Sequence, residues 1–193
     1  MKAYYFGWLS DNMFFLLMFI LIILVQLFHS LKSIKLLKKL SPVFNGKAHW
    51  LFRSYFKGEF QGNIFLIKIA YSRTASSVIS ILKRSSFQLR IYRRSLYPFT
   101  RFGEKTIKTN NENFDREFVI WTNNITEAVN YINDVSTMDT LRELLHGNSD
   151  YILMDGKQVS IHKLGYPSEK DLSPDSVKDR LQELCLLSKK LHT

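Results

Sequence analysis

The chain has 193 residues, a formal net charge of +10, and a composition that is 46% hydrophobic and 23% charged. That balance excludes wholesale disorder, and once a hydrophobic N-terminal segment is set aside the ~150 residues left suffice for one ordinary domain but not two. Cys185 is the only cysteine, which excludes an internal disulfide; it falls in an apolar helical pattern and reads as a buried core thiol.

The first element is hydrophobic. Met13 to Val25 is an unbroken apolar run, and Leu27 and Phe28 extend it past Gln26. At ~1.5 Å per residue this run spans about 24 Å, slightly short of a ~30 Å hydrocarbon core; extension back to Trp8 and on to Leu31 makes up the difference. Tyr4, Tyr5 and Trp8 suit one aromatic belt. A cleavable signal peptide would need a positive leader and small residues at the cut; Lys2 is a thin leader and Gln26 to Lys32 lacks such a site, so an uncleaved single-pass anchor is expected. Lys32, Lys35, Lys38, Lys39, Lys47, Arg53 and Lys57 follow the run, whereas Lys2 alone precedes it. The positive-inside rule then places the N-terminus outside and the domain in the cytoplasm. There the Asn124-Ile125-Thr126 sequon would be inert.

Leu31, Ile34, Leu37 and Leu40 alternate with Lys32, Lys35, Lys38 and Lys39. This reads as a helix leaving the bilayer, its four lysines facing anionic headgroups at about 1 kcal/mol each, or more simply as a stop-transfer flank. The expected organisation is an anchor with a basic juxtamembrane helix over 1–41 and a soluble domain over 42–193.

Ser41-Pro42 ends the basic helix and Asn45-Gly46 reads as a turn. Strands follow at Leu51–Phe60, Asn63–Tyr71, Ser77–Leu82 and Phe87–Tyr92, with Lys83 to Ser86 as a hairpin turn between the last two. In the last strand Phe87, Leu89 and Ile91 face the core, and Gln88, Arg90 and Tyr92 face water. Pro98 to Asn113 reads as a loop leading to a strand at Phe118–Thr122. Asn124 or Thr126 caps a short helix through Ile132. Ser136 or Thr137 caps the next, with Met138, Leu141, Leu144 and Leu145 as its apolar stripe and Gly147 as its stop. Asp155-Gly156 joins a hairpin, and Ser173-Pro174 starts a last helix with Val177, Leu181, Leu184 and Leu191 inward. The class expected is α+β: a transmembrane helix, then an antiparallel sheet packed by about three helices.

Charge is unevenly spread. Residues 42–101 carry 11 Lys/Arg against one acid, Glu59, while residues 102–193 carry 11 Lys/Arg against 15 Asp/Glu. The basic half points to an anionic neighbour. Arg90, Arg93, Arg94 and Arg101, interleaved with Tyr92, Tyr97, Phe99 and Phe102, form the second candidate contact. Arginine among aromatics can bind nucleic acid, but no named motif accompanies it, and a basic face turned toward anionic lipid explains the same residues with fewer assumptions.

The five histidines, at 29, 49, 146, 162 and 192, form no ligand pattern and read as surface or packing residues. Phosphate-loop, dinucleotide and nucleophile-elbow signatures are missing, so neither a cofactor nor a catalytic residue is assigned. Asp115 and Glu117, two apart on an expected strand, would share a face as a solvated edge or an acid–base pair.

Phe114-Asp115-x-x-Phe118, with glycine-punctuated strands upstream and the Ala128 and Leu141–Leu144 helices downstream, resembles a loose group of uncharacterised bacterial single-pass membrane-anchored proteins over roughly residues 46–190. The resemblance implies anchoring and this α+β order, and it carries no catalytic assignment. Within the motif, Phe114 and Phe118 read as core anchors and Asp115 as a turn cap. The function expected is a non-enzymatic domain at the cytoplasmic membrane surface, its partners the bilayer, anionic headgroups and an unknown protein; a membrane-bound enzyme with a site of distant residues, or a tethered nucleic-acid binder, is the alternative.

Overall fold

The computed structural model describes residues 2–51, 53–71, 75–96, 106–147 and 149–192, with side chains left aside at 2–12, 50, 51, 53, 71 and 192. Its first element is one unbroken helix, α1 (Lys2–Lys38), whose 37 residues extend about 55 Å. From Met13 to Phe28 its large apolar side chains are 40–71% exposed, on every side of the helix. A few residues later the same helix is core at Leu36 and Leu37, 5% and 0% exposed, and Leu40 in the turn after it is 0% exposed. The buried stripe is Ser33, Leu36, Leu37 and Leu40, so Leu37 and Leu40 of the expected line are core, whereas Ile34 is half-buried and Leu31 stays 55% exposed. Below Lys38 the chain tightens through amide bonds from Val43 and Phe44 to the Leu40 carbonyl and turns at Pro42 into the sheet.

Four consecutive antiparallel strands follow: β1 (Asn45–Leu51), β2 (Arg53–Phe60), β3 (Asn63–Tyr71) and β4 (Ala75–Leu82). The β2–β3 turn holds Gln61 and Gly62 at φ 50° and 74°, the left-handed pair that a two-residue hairpin demands. Beyond β4 come β5 (Leu89–Arg93), a single 3-10 turn (Arg94–Leu96), β6 (Thr106–Ile107), α2 (Glu112–Glu117) and β7 (Phe118–Thr122). The chain then forms α3 (Ile125–Ile132), α4 (Val135–His146), the hairpin β8 (Tyr151–Met154) and β9 (Gln158–Leu164), and α5 (Pro174–Lys189). Among the described residues nine strands join one sheet in the order β1-β2-β3-β4-β9-β8-β5-β7-β6, and every ladder between them is antiparallel. The α+β class stands, with a sheet larger than the sequence suggested.

Three local expectations are corrected. Lys83 to Ser86 is no hairpin turn: β4 pairs with β9 while β5 pairs with β8 and β7, and the segment crosses over by bonding Lys83 and Ser85 amides to the carbonyls of Lys157 and Gly156. Asn45-Gly46 is no turn; it opens β1, with Gly46 opposite Gly58. A Cβ on Gly46 would lie 2.4 Å from the Lys57 carbonyl oxygen and 2.7 Å from the Phe56 ring, so the close approach of two glycine backbones makes room for the aromatic packing of Phe56, Phe65 and Phe44. Residues 112–117 are helical, so Asp115 and Glu117 do not share a strand face.

Asn124 caps α3 as expected, Gly147 ends α4 and Ser173 caps α5, but α4 is capped by Asp134, which accepts from the Thr137 amide. All the helices pack on one sheet face. Phe56, Phe65, Ile67, Ile79, Ile81, Ile91, Ile120, Ile152 and Ile161 point into a single core with the end of α1, α3, α4 and α5. Cys185 lies in that core, 2% exposed, and burial pushes its thiol pKa up.

Candidate interaction surface

Strand alternation puts one set of side chains into the core and the other on the opposite sheet face. None of that second set belongs to the core cluster. Cross-strand register lines it up in two rows. One runs His49, Tyr55, Lys68, Val78, His162, Tyr151, Tyr92, Val119; the other runs Lys47, Lys57, Leu66, Ser80, Ser160, Leu153, Arg90, Trp121. The first row is a run of stacked rings: His49 on Tyr55 at 4.7 Å, His162 on Tyr151 at 4.3 Å, and Tyr151 on Tyr92 at 5.0 Å. In the second, the Arg90 guanidinium lies 4.9 Å over the Trp121 ring. Lys47, Lys57 and Lys68 are exposed beside a single carboxylate, Glu59. This face is thus a broad, aromatic and basic plate.

A serine and a histidine meet on it. Ser160 Oγ lies 3.0 Å from His162 Nε2, a nucleophile-and-base spacing, but Ser160 is fully buried and its hydroxyl donates to the Leu153 carbonyl. Burial lowers the His162 pKa to about 4, so the ring is neutral at pH 7. The pair is a satisfied part of the sheet.

Of the four arginines expected to act together, the structure describes Arg90, Arg93 and Arg94, and these three point different ways. Arg90 is on the plate. Arg93, an odd number of residues on, turns to the helix side and donates to the Leu145 carbonyl. Arg94 donates to the carbonyls of Asp115 and Arg116 at the end of α2. Arg101, with Tyr97, Phe99 and Phe102, lies outside the described residues, as do the side chains of Tyr4, Tyr5 and Trp8. Asp115 is a turn cap, its carboxylate accepting from the Thr109 amide and hydroxyl at 3.0 Å; Glu117 instead meets His146 Nε2 at 2.9 Å.

The juxtamembrane lysines climb along the end of α1 and the turn after it. At ~1.5 Å per residue Lys32 stands about 6 Å past Phe28 and Lys39 about 16 Å past it, so the four do not lie at one level. The Lys32 ammonium sits 4.8 Å over the Tyr166 ring, and Lys39 pairs with Glu169 at 3.3 Å. Among the described residues no group of three His, Cys, Asp or Glu is placed to hold a metal.

Elsewhere the ionisable groups are structural. Asp171, 5% exposed, accepts from Lys163 at 2.6 Å and from Ser168, beside Arg180. Burial pulls its pKa up, but those hydrogen bonds and the Lys163 charge win and hold it at about 2. Glu183 goes the other way, raised to about 7 by burial and then by Glu143 and Asp179.

The plate was not visible from sequence as a surface. Its signal was the alternation of Tyr, His, Lys and Arg with core aliphatics in β2, β5 and β9, which marks a wet face but not which strands lie side by side.

The class defined by these features is an α+β domain carried on a helix that is long and apolar enough to cross a membrane, over Met13–Lys38. No protein family and no curated protein matches the chain. Among solved structures it is similar to the crystal structure of the mycobacterial trehalose monomycolate transport factor A, TtfA, with a TM-score of 0.54 and 11% identity over 81% of this chain and 96% of that chain. The likeness is one of fold.

Proposed function

We propose that the chain is a membrane-anchored, non-enzymatic interaction domain, with its N-terminus outside and its domain held at the cytoplasmic membrane surface. The observation that carries this reading is α1 itself: apolar and exposed all round from Met13 to Phe28, then, without a break, packed into the domain core through Leu36 and Leu37. A free helix would not leave so much apolar surface to water, and a lipid bilayer is the solvent that removes it. The excess of lysine after the apolar run supports the orientation.

Because α1 passes straight into the core, the domain has no tether. Ser54 near the start of β2 bonds the Ser30 carbonyl, and Phe44, just past the helix, packs on Phe60 at the other end of β2, so the helix and β2 run alongside each other. The plate therefore stands up from the bilayer rather than lying on it, presented sideways to a protein partner. The test is protease digestion of sealed, carbonate-washed membranes carrying a C-terminal tag. A tag that stays with the membrane and is cut only from the cytoplasmic side supports the reading; a tag released by carbonate, or cut from outside, overturns it.

A further inference from the structure

We infer that the rim of the sheet at the end where α1 leaves the domain rests on anionic lipid headgroups, as a second contact with the bilayer besides the anchor. This rests on the anchoring proposed above. Its geometry follows from register. The Ser54 hydroxyl donates to the Ser30 carbonyl at 3.3 Å, which sets that point of β2 level with α1 only two residues past Phe28, itself 66% exposed. Ser54 pairs with Ile69, Ile69 with Ser77 and Ser77 with Lys163, so these four residues form one row across the sheet. Everything beyond that row points toward the apolar part of α1. β1 closes there at Leu51, β2 opens at Arg53, β3 closes at Tyr71 and β9 closes at Leu164. At ~3.3 Å per residue, one or two residues past the Ser30 level bring these strand ends into the headgroup layer.

The chemistry there is that of an interfacial anchor. Leu31 and Leu164 are 55% and 42% exposed. Tyr166 lies between the Lys32 ammonium, at 4.8 Å, and the His29 ring, at 6.0 Å. An aromatic ring at headgroup level with cations beside it is the pattern that membrane interfaces select. The carboxylate at this edge, Asp150, is turned onto the Leu164 amide. Of the four lysines assigned from sequence, Lys32 is thus the headgroup contact, whereas Lys39 is drawn to Glu169 well above the bilayer.

The experiment uses the full chain with Cys185→Ser, reconstituted in vesicles of phosphatidylcholine alone or mixed with phosphatidylglycerol. A fluorophore is placed at Leu164→Cys on the rim, or at Lys157→Cys in the β8–β9 turn at the opposite end of the sheet. Quenching by a lipid carrying a nitroxide on its headgroup is expected to be several-fold stronger at 164 than at 157. It is expected to be stronger still with phosphatidylglycerol, and Lys32→Gln removes that extra part. Equal, weak quenching at both positions in a chain that floats with the vesicles overturns the inference and leaves the anchor intact. Indifference to phosphatidylglycerol overturns the headgroup charge contact. A chain that fails to float overturns the anchoring, and the inference with it.

Discussion

A chain beginning at residue 29 is expected to fold as a soluble domain, and one beginning at residue 42 is not. The sequence places the boundary after Ser41, where proline stops the helix, yet the structure puts Leu36, Leu37 and Leu40 in the core at 5% exposure or less. Burying a leucine contributes about 1.5–3 kcal/mol, so removing three costs about 5–9 kcal/mol before the newly exposed Phe44, Phe56 and Phe65 are counted. Domain stabilities are about 5–15 kcal/mol, so the shorter chain loses most or all of its margin. Urea unfolding followed by near-ultraviolet circular dichroism measures this: a cooperative transition is expected for 29–193 and none, or a much lower midpoint, for 42–193. Leu37→Ala in the longer chain lowers stability by about 2–5 kcal/mol, the cost of a core cavity. Equal midpoints for the two chains would refute the argument that the end of the anchor helix belongs to the core.

Gly46→Ala is expected to lower stability by about 2 kcal/mol, because the new Cβ meets backbone at 2.4 Å and cannot be relieved by a side-chain rotation; an unchanged melting temperature contradicts this. Asp171→Asn strips the partner from buried Arg180 and from Lys163 and costs about 3 kcal/mol at neutral pH. Since the folded carboxyl is held at about 2, below its usual 3.8, its contribution is complete above pH 4 and is lost as pH falls from about 4 to 2; the variant's stability should not change with pH through that residue, which a denaturation series reads directly. Glu183 has the opposite sign. Its folded pKa of about 7 lies above the ordinary 4.5, so stability is lost as pH rises from about 4.5 to 7, and Glu183→Gln is expected to gain about 1 kcal/mol at pH 7 after allowance for partial exposure.

The elements with strong local signals were legible. Asn63–Tyr71 and Phe118–Thr122 are strands at the expected residues, Asp155-Gly156 sits in the turn of β8 and β9, and Ser173-Pro174 starts α5. What failed was pairing and context. Nothing local in Lys83 to Ser86 reveals that β9, some 75 residues on, inserts beside β4. Asn45-Gly46 has turn chemistry, and only the opposing Gly58 makes it strand. α2 is six residues long with one buried side chain, Phe114, so it leaves no periodicity to read. Arg90 and Arg93 are close in sequence, yet strand alternation sends them to opposite faces. The leucine and lysine spacing after the apolar run reads as a continuing helix, but nothing local shows that Leu36, Leu37 and Leu40 are spent on the domain core.

The most direct test of the central claim, that membrane span and domain core are one rigid element, is an electron–electron distance measurement on the full chain in lipid nanodiscs. Nitroxides are placed at Leu24→Cys, exposed on α1, and at Lys157→Cys, in a Cys185→Ser background. One narrow distance distribution is the expected result, because α1 runs without interruption from Lys2 to Lys38 and its last turns are locked under β1 and β2. A broad distribution would show a hinge between span and domain and would contradict the account.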